Sequence, residues 1–144
     1  WNHIVEEGNA FPQMDCLTES TGEEFFLGQS YTGIAVDVDS GEIAGLYILH
    51  PNHVGRCGHI CNASYAVRWD LRGCQIGEKL VRHCMEQGKA LGYGILQFNA
   101  VVKSNEAALH LYQKLGFTRL GVIPRGFLMK DGSFEDIIPH YIAL

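Results

Sequence analysis

Arg72, Gly73 and Gly77 fall within the stretch Trp69 to Glu78, which reads Trp-Asp-Leu-Arg-Gly-Cys-Gln-Ile-Gly-Glu. An apolar run, Ile60 to Val67, precedes it, and a segment with helical spacing, Lys79 to Leu91, follows it. That order spells strand, glycine-bearing turn, helix start. Successive backbone N–H groups at the positive end of a helix suit a phosphate or pyrophosphate, and an arginine adds a fixed positive charge beside them. Such turns occur in many α/β domains, so the chemistry needs a second element to become specific. That element is Asn105-Glu-Ala-Ala-Leu-His-Leu-Tyr-Gln-Lys-Leu-Gly-Phe117. Asn105 is a good helix N-cap and Gly116 a good stop, while Leu109, Tyr112 and Leu115 share one helical face.

Taken together, the two segments resemble the acetyl-CoA-binding signature of the GNAT superfamily of N-acetyltransferases, across residues 59 to 123. The resemblance implies a GNAT fold: an α+β domain in three layers, with a mixed central sheet and helices on both faces. It implies acetyl-CoA as acyl donor, with the pyrophosphate on the turn Arg72, Gly73, Cys74, Gln75, Ile76, Gly77 and Glu78. The main chain of Tyr65, Ala66 and Val67 would pair with the pantetheine arm, and an N–H around Val67 would meet the thioester carbonyl. Asn105 corresponds to a residue that contacts the cofactor arm, although an N-cap role accounts for it equally well. Tyr112 corresponds to the tyrosine that protonates the departing thiolate. A phenol of pKa about 10 is matched to a thiol leaving group. The family turn runs Gln/Arg-x-x-Gly-x-Gly/Ala, and Gln75 stands where the first glycine is usual, so a Cβ there demands a compatible φ. No motif fixes the general base; His59 and Tyr65 are candidates.

Asn62, in Cys-Asn-Ala-Ser, and Asn99, in Gln-Phe-Asn-Ala, interrupt apolar strands, and buried amides need partners. The texts around them are locally similar to the fungal L-azetidine-2-carboxylate acetyltransferases, which implies acceptor contact by both asparagines. A structural amide pair is the equal alternative. That subgroup carries Trp where this chain has Tyr112.

The elements that must hold these residues can be read from periodicity and turn residues. Trp1 to Phe11 reads as the end of a helix, and Asp15 to Leu27 as a second one. Tyr31 to Asp37 and Glu42 to His50 read as a hairpin about Asp39-Ser-Gly41. His59 to Val67 reads as the central strand, Ile76 to Leu91 as the long helix, Ile95 to Val102 as a strand, and Asn105 to Leu115 as a helix. Phe117 to Ile123 and Glu135 to Ala143 read as the last strands, with loops at Pro124 to Gly126 and Lys130 to Ser133. GNAT domains usually begin with a strand before the first helix, and none is legible here.

With 144 residues, 47% apolar and 19% charged, the chain reads as one soluble globular domain, 1–144. The net charge of −5 argues against a nucleic-acid partner. Neither a membrane-length apolar run nor a leader is legible, so a cytoplasmic location is expected. The odd count of five cysteines points to free thiols. On a strand, Cys57, His59 and Cys61 would share a face, yet they lack a convincing fourth ligand, so small buried thiols are expected rather than a metal. The favoured function is acetylation of the amine of a small molecule, such as an amino acid or analogue. Acetylation of a protein N-terminus or lysine, and a non-catalytic acyl-CoA-binding module, remain open. Homodimerisation through the last strand would match the family habit.

Overall fold

The computed structural model describes all of residues 1–144 and divides into two compact units. One comprises Thr18–Leu96 with Leu144; the other comprises Trp1–Leu17 with Gln97–Ala143. The fold class is mixed α+β, with four α-helices and a sheet of seven strands.

In the first unit, α2 (Glu19–Leu27) leads into the antiparallel hairpin β1 (Tyr31–Val36) and β2 (Ile43–Pro51), and β2 pairs antiparallel with β3 (Ile60–Val67). Thr18 caps α2 through a reciprocal pair of bonds with Thr21. Asp37 closes the hairpin by accepting from the backbone N–H groups of Asp39 and Ser40. The long helix α3 (Ile76–Ala90) lies on β1, β2 and β3. Its buried face carries Leu80, Val81, Cys84 and Gly88, the i, i+4, i+8 pattern of an amphipathic helix. Between helix and sheet, Tyr47 is wholly buried, and its hydroxyl lies 3.0 Å from His83 Nδ1. Burial pushes the Cys61 thiol up to about 11 and the Cys84 thiol up to about 12, so both stay protonated as core groups. The start of β4 (Ile95–Val102) joins β3 in parallel through Ile60↔Ile95 and Cys61↔Leu96.

In the second unit, the rest of β4 lies beside β7 (Phe134–Ala143), which also takes β5 (Thr118–Arg119) and β6 (Ile123–Leu128) as antiparallel partners. The unit also holds α1 (Asn2–Glu7) and α4 (Glu106–Lys114). Val102, Phe127 and Ile137 form one buried cluster; Phe98, Tyr112 and Phe117 form an aromatic one.

Two expectations need correction. The strand expected at Phe117 to Ile123 is confined to Thr118–Arg119, because Gly121 takes φ 137°, outside any extended conformation. The loop expected at Pro124 to Gly126 belongs to β6, as an irregularity in its register between Ile123 and Phe127. There Arg125 has φ 56°, its N–H bonds Asp136 Oδ1 at 3.0 Å, and its guanidinium covers the Phe134 ring. A Pro-Arg-Gly text carries turn residues, but cross-strand bonding to Asp136 keeps the segment in the sheet.

Gly33 faces the Tyr47 ring so closely that a Cβ at this position would overlap it. Gly33→Ala is expected to cost about 1–3 kcal/mol through overpacking, read as a lowered urea midpoint with unchanged m-value.

Candidate functional site

The register of β3 sets which of its main-chain groups are available. Asn52 N–H bonds the Ile60 carbonyl at 2.8 Å, and Arg68 N–H bonds the Ala44 carbonyl at 2.9 Å. In an antiparallel pair, bonding alternates along the strand, so positions 60, 62, 64, 66 and 68 point their main-chain groups at β2. Positions 61, 63, 65 and 67 point theirs the other way. The parallel register to β4 comprises Ile60↔Ile95 and Cys61↔Leu96. Beyond it, the Val67 N–H faces the side where that pairing has ended.

Past Val67 the chain makes a short 3-10 turn at Trp69–Leu71, fixed by Arg68, which grips Asp70 at 2.7 Å and Glu42 at 2.9 Å. The guanidinium holds the Asp70 carboxyl below the usual carboxylate range by hydrogen bonding. Arg68 is therefore occupied as a strut, whereas Arg72, Gly73, Cys74 and Gln75 are exposed beyond it. Gly73 has φ 83°, and Gln75 has φ 62° and ψ 13°, the left-handed region favoured by glycine. Gln75 thus adopts a backbone conformation that glycine favours, and α3 starts directly after it with no side-chain cap. The first N–H groups of any helix lack intrahelical acceptors, so this start carries a positive pole with donors directed outward. Ile76, Gly77 and Glu78 form its first turn, and Glu78 accepts from Arg82 one turn later.

Asn105 caps α4, its Oδ1 accepting from the Ala108 N–H at 3.2 Å. Tyr112 is buried on α4 in contact with Phe98, Phe117 and His140, with ring centroids 4.5, 5.3 and 5.7 Å away. Gly116, at φ 86°, turns the chain so that Phe117 can pack there. The Tyr65 ring lies 5.9 Å from that of Tyr47, tilted by 42°, and Tyr65 interacts with the Cys84 thiol.

The asparagines differ from expectation. Asn62 is half-buried and satisfied locally, its Oδ1 accepting from the Ala63 N–H at 2.8 Å. Asn99 is exposed, its Oδ1 accepting from Gln97 Nε2 at 3.1 Å. Neither is a fully buried amide, because the inward positions beside them are taken by Cys61 and Ala63 on β3 and by Phe98 on β4. Cys57 and His59 also depart from expectation: Cys57 is exposed in the 3-10 turn Gly55–Cys57, and His59 is exposed just before β3, so they do not share a strand face with buried Cys61. No group of three or more His, Cys, Asp or Glu is placed to hold a metal ion. No helix is long and apolar enough to cross a membrane.

Sequence reasoning missed His140 on β7. It is 1% exposed, its Nδ1 lies 2.7 Å from the Ile138 carbonyl, and Nε2 is buried with no hydrogen-bond partner. Its alternation with Ile138 marked it as inward-facing, but a lone histidine in an apolar strand carries no signature.

The model of the acetyltransferase (GNAT) family matches residues 1–117. The chain belongs to the GNAT acetyltransferase family. It is therefore an acyltransferase. Among its relatives is N-acetyltransferase aca1 of Schizosaccharomyces pombe, 29% identical over 156 aligned positions that take in 98% of this chain and 74% of the relative. A GCN5-related N-acetyltransferase from Kribbella flavida superposes with a TM-score of 0.88 at 29% identity, covering 99% of this chain and 86% of that one. The fold is also that of yncA from Salmonella typhimurium, solved with its cofactor acetyl-CoA, with a TM-score of 0.85 at 18% identity over 99% of this chain and 83% of that one.

Burial lowers the His140 pKa from 6.5, opposed by the bond to the Ile138 carbonyl and assisted by the charge of Arg119. The folded state therefore binds the proton less readily than the unfolded chain. Stability is unaffected well above pH 6.5 and falls as pH drops below it. The urea midpoint of the wild type is expected to decrease from about pH 7 to about pH 5.5, with His140→Phe showing a shallower decrease.

Proposed function

We propose that this acetyltransferase moves the acetyl group of acetyl-CoA to the amine of a small molecule by direct attack in a ternary complex. The observation that carries the donor half is the turn itself: Gln75 in a left-handed conformation, followed at once by the uncapped start of α3. In this reading the pyrophosphate rests on the N–H groups from Gly73 to Glu78, with Arg72 supplying charge. The main chain of Tyr65, Ala66 and Val67 receives the pantetheine arm, and Asn105 contacts it while capping α4.

The chemistry follows in one displacement. The amine nitrogen attacks the thioester carbon, and the Val67 N–H stabilises the developing oxyanion. The C–S bond then breaks, and the thiolate takes the phenolic proton of Tyr112 as the amide forms. The nitrogen sheds its proton to solvent, and Tyr112 is reprotonated from solvent. Tyr112 is buried among Phe98 and Phe117. Asn62 and Asn99 are assigned to the acceptor, with Asn99 exposed and Asn62 half-buried. The unit that holds Tyr112 also has a cavity of about 610 Å³, lined by Phe11, Gln13 and Phe127 among others, which has the volume of a ligand pocket.

Cys74 is an exposed thiol in the middle of the turn, which makes it a reporter. With Cys16 and Cys57 replaced by serine, acetyl-CoA at saturating concentration is expected to slow maleimide labelling of Cys74 at least tenfold; unchanged labelling would sink the assignment of the turn. Tyr112→Phe is expected to lower kcat about 10²-fold, with a smaller change in the KM for acetyl-CoA. A fully active Tyr112→Phe enzyme would remove the proton-donor role.

A further inference from the structure

The cavity in the unit formed by Trp1–Leu17 and Gln97–Ala143 is apolar at its base and has one unanswered polar atom. Phe11 and Phe127, 6% and 7% exposed, form buried wall, and Met14 and Met129 extend it outward. Gln13 also lines it. The Gln13 Oε1 is buried and has no hydrogen-bond partner in the protein. A buried carbonyl oxygen lacking a donor is costly, and such groups are rare where nothing is gained from them. The other polar side chains at the cavity are already committed. Lys130 Nζ donates to the Glu6 carbonyl at 2.7 Å, and the Glu6 carboxylate accepts from the Cys16 thiol at 3.8 Å. The single unanswered group is therefore a hydrogen-bond acceptor set in apolar surroundings. Its complement is an N–H donor carried on an apolar body.

We propose that Gln13 is a specificity-determining residue, whose Oε1 accepts an N–H of the acceptor amine while Phe11, Met14, Phe127 and Met129 enclose that amine's apolar side chain. This names the acceptor class, an amine with an aliphatic or aromatic substituent of modest size, and it rests on the acetyl-transfer reading above. A ligand that offers only acceptor atoms would leave Oε1 unanswered. An ammonium, with three N–H donors, meets it directly.

The chain's three methionines make the test direct, since Met14 and Met129 line the cavity and Met85 lies on α3 in the other unit. The full chain, labelled with carbon-13 at the methionine methyls, is titrated with n-hexylamine and with n-hexanoate in the absence of acetyl-CoA. The amine is expected to shift the Met14 and Met129 methyls saturably and to leave Met85 unmoved, with hexanoate at least tenfold weaker. Gln13→Met, which keeps the length and removes the oxygen, is expected to weaken the amine at least tenfold. Gln13→Glu, which keeps an acceptor oxygen, is expected to retain it. Equal binding of amine and carboxylate, or an undiminished affinity in Gln13→Met, would overturn the inference. The failure of the two readings can be told apart. Methyl shifts that obey this pattern, with no acetylation of any amine, would retain the cavity's role and remove acetyl transfer to small amines. Robust acetylation with the same acceptor KM in Gln13→Met would do the reverse.

Discussion

A strand that hydrogen-bonds its neighbour on one side and loses its partner early on the other is the constraint around which this acetyltransferase is organised. The antiparallel register of β2 and β3 assigns every second main-chain group of β3 to β2, and the parallel register to β4 comprises the Ile60 and Cys61 pairs. Backbone polar groups must be satisfied, and in the proposed function those beyond Cys61 on the outward side receive the pantetheine arm. The same strand then delivers the chain into the Arg68–Asp70–Glu42 ion cluster, which holds the turn at a fixed angle before α3 begins. Arg68 bonds both Asp70 and Glu42, and Arg72 is exposed four positions later in the same turn.

The second unit meets a different constraint. A tyrosine proposed as proton donor must stay protonated, and here it sits in an aromatic cluster of Phe98 and Phe117 against the neutral ring of His140. Burial disfavours the imidazolium form of His140. The cost of holding a histidine in that environment is a dependence of stability on pH that an apolar residue would avoid.

Much of this was legible in the residues. The limits of the last helix followed from Asn105 and Gly116, and those of the long helix from the helical spacing of Lys79 to Leu91, because caps and periodicity are local signals. The role of Gln75 was half legible: its type argued against the glycine pattern, and only its φ of 62° shows that the backbone kept the glycine conformation. Pro124-Arg-Gly126 misled, because turn residues there are overridden by the Asp136 bond from the neighbouring strand, a tertiary interaction that no local text encodes. Asn99 misled in the opposite sense, since strand alternation, set by Phe98, points it outward. Gln13 and His140 were missed because an unanswered atom is a property of packing, visible only once neighbours are in place.

The central claim is transfer of an acetyl group from acetyl-CoA to a small amine. Its most direct measurement is release of free CoA thiol from acetyl-CoA in the presence of a panel of free amino acids, imino acids, polyamines and short peptides, with mass spectrometry of the products. The account predicts acceptor-dependent thiol release, with an added acetyl group on the nitrogen of a small amine and greatest turnover among those bearing apolar substituents. Thiol release confined to the peptides, or acetyl-CoA bound with no acceptor ever modified, would contradict it.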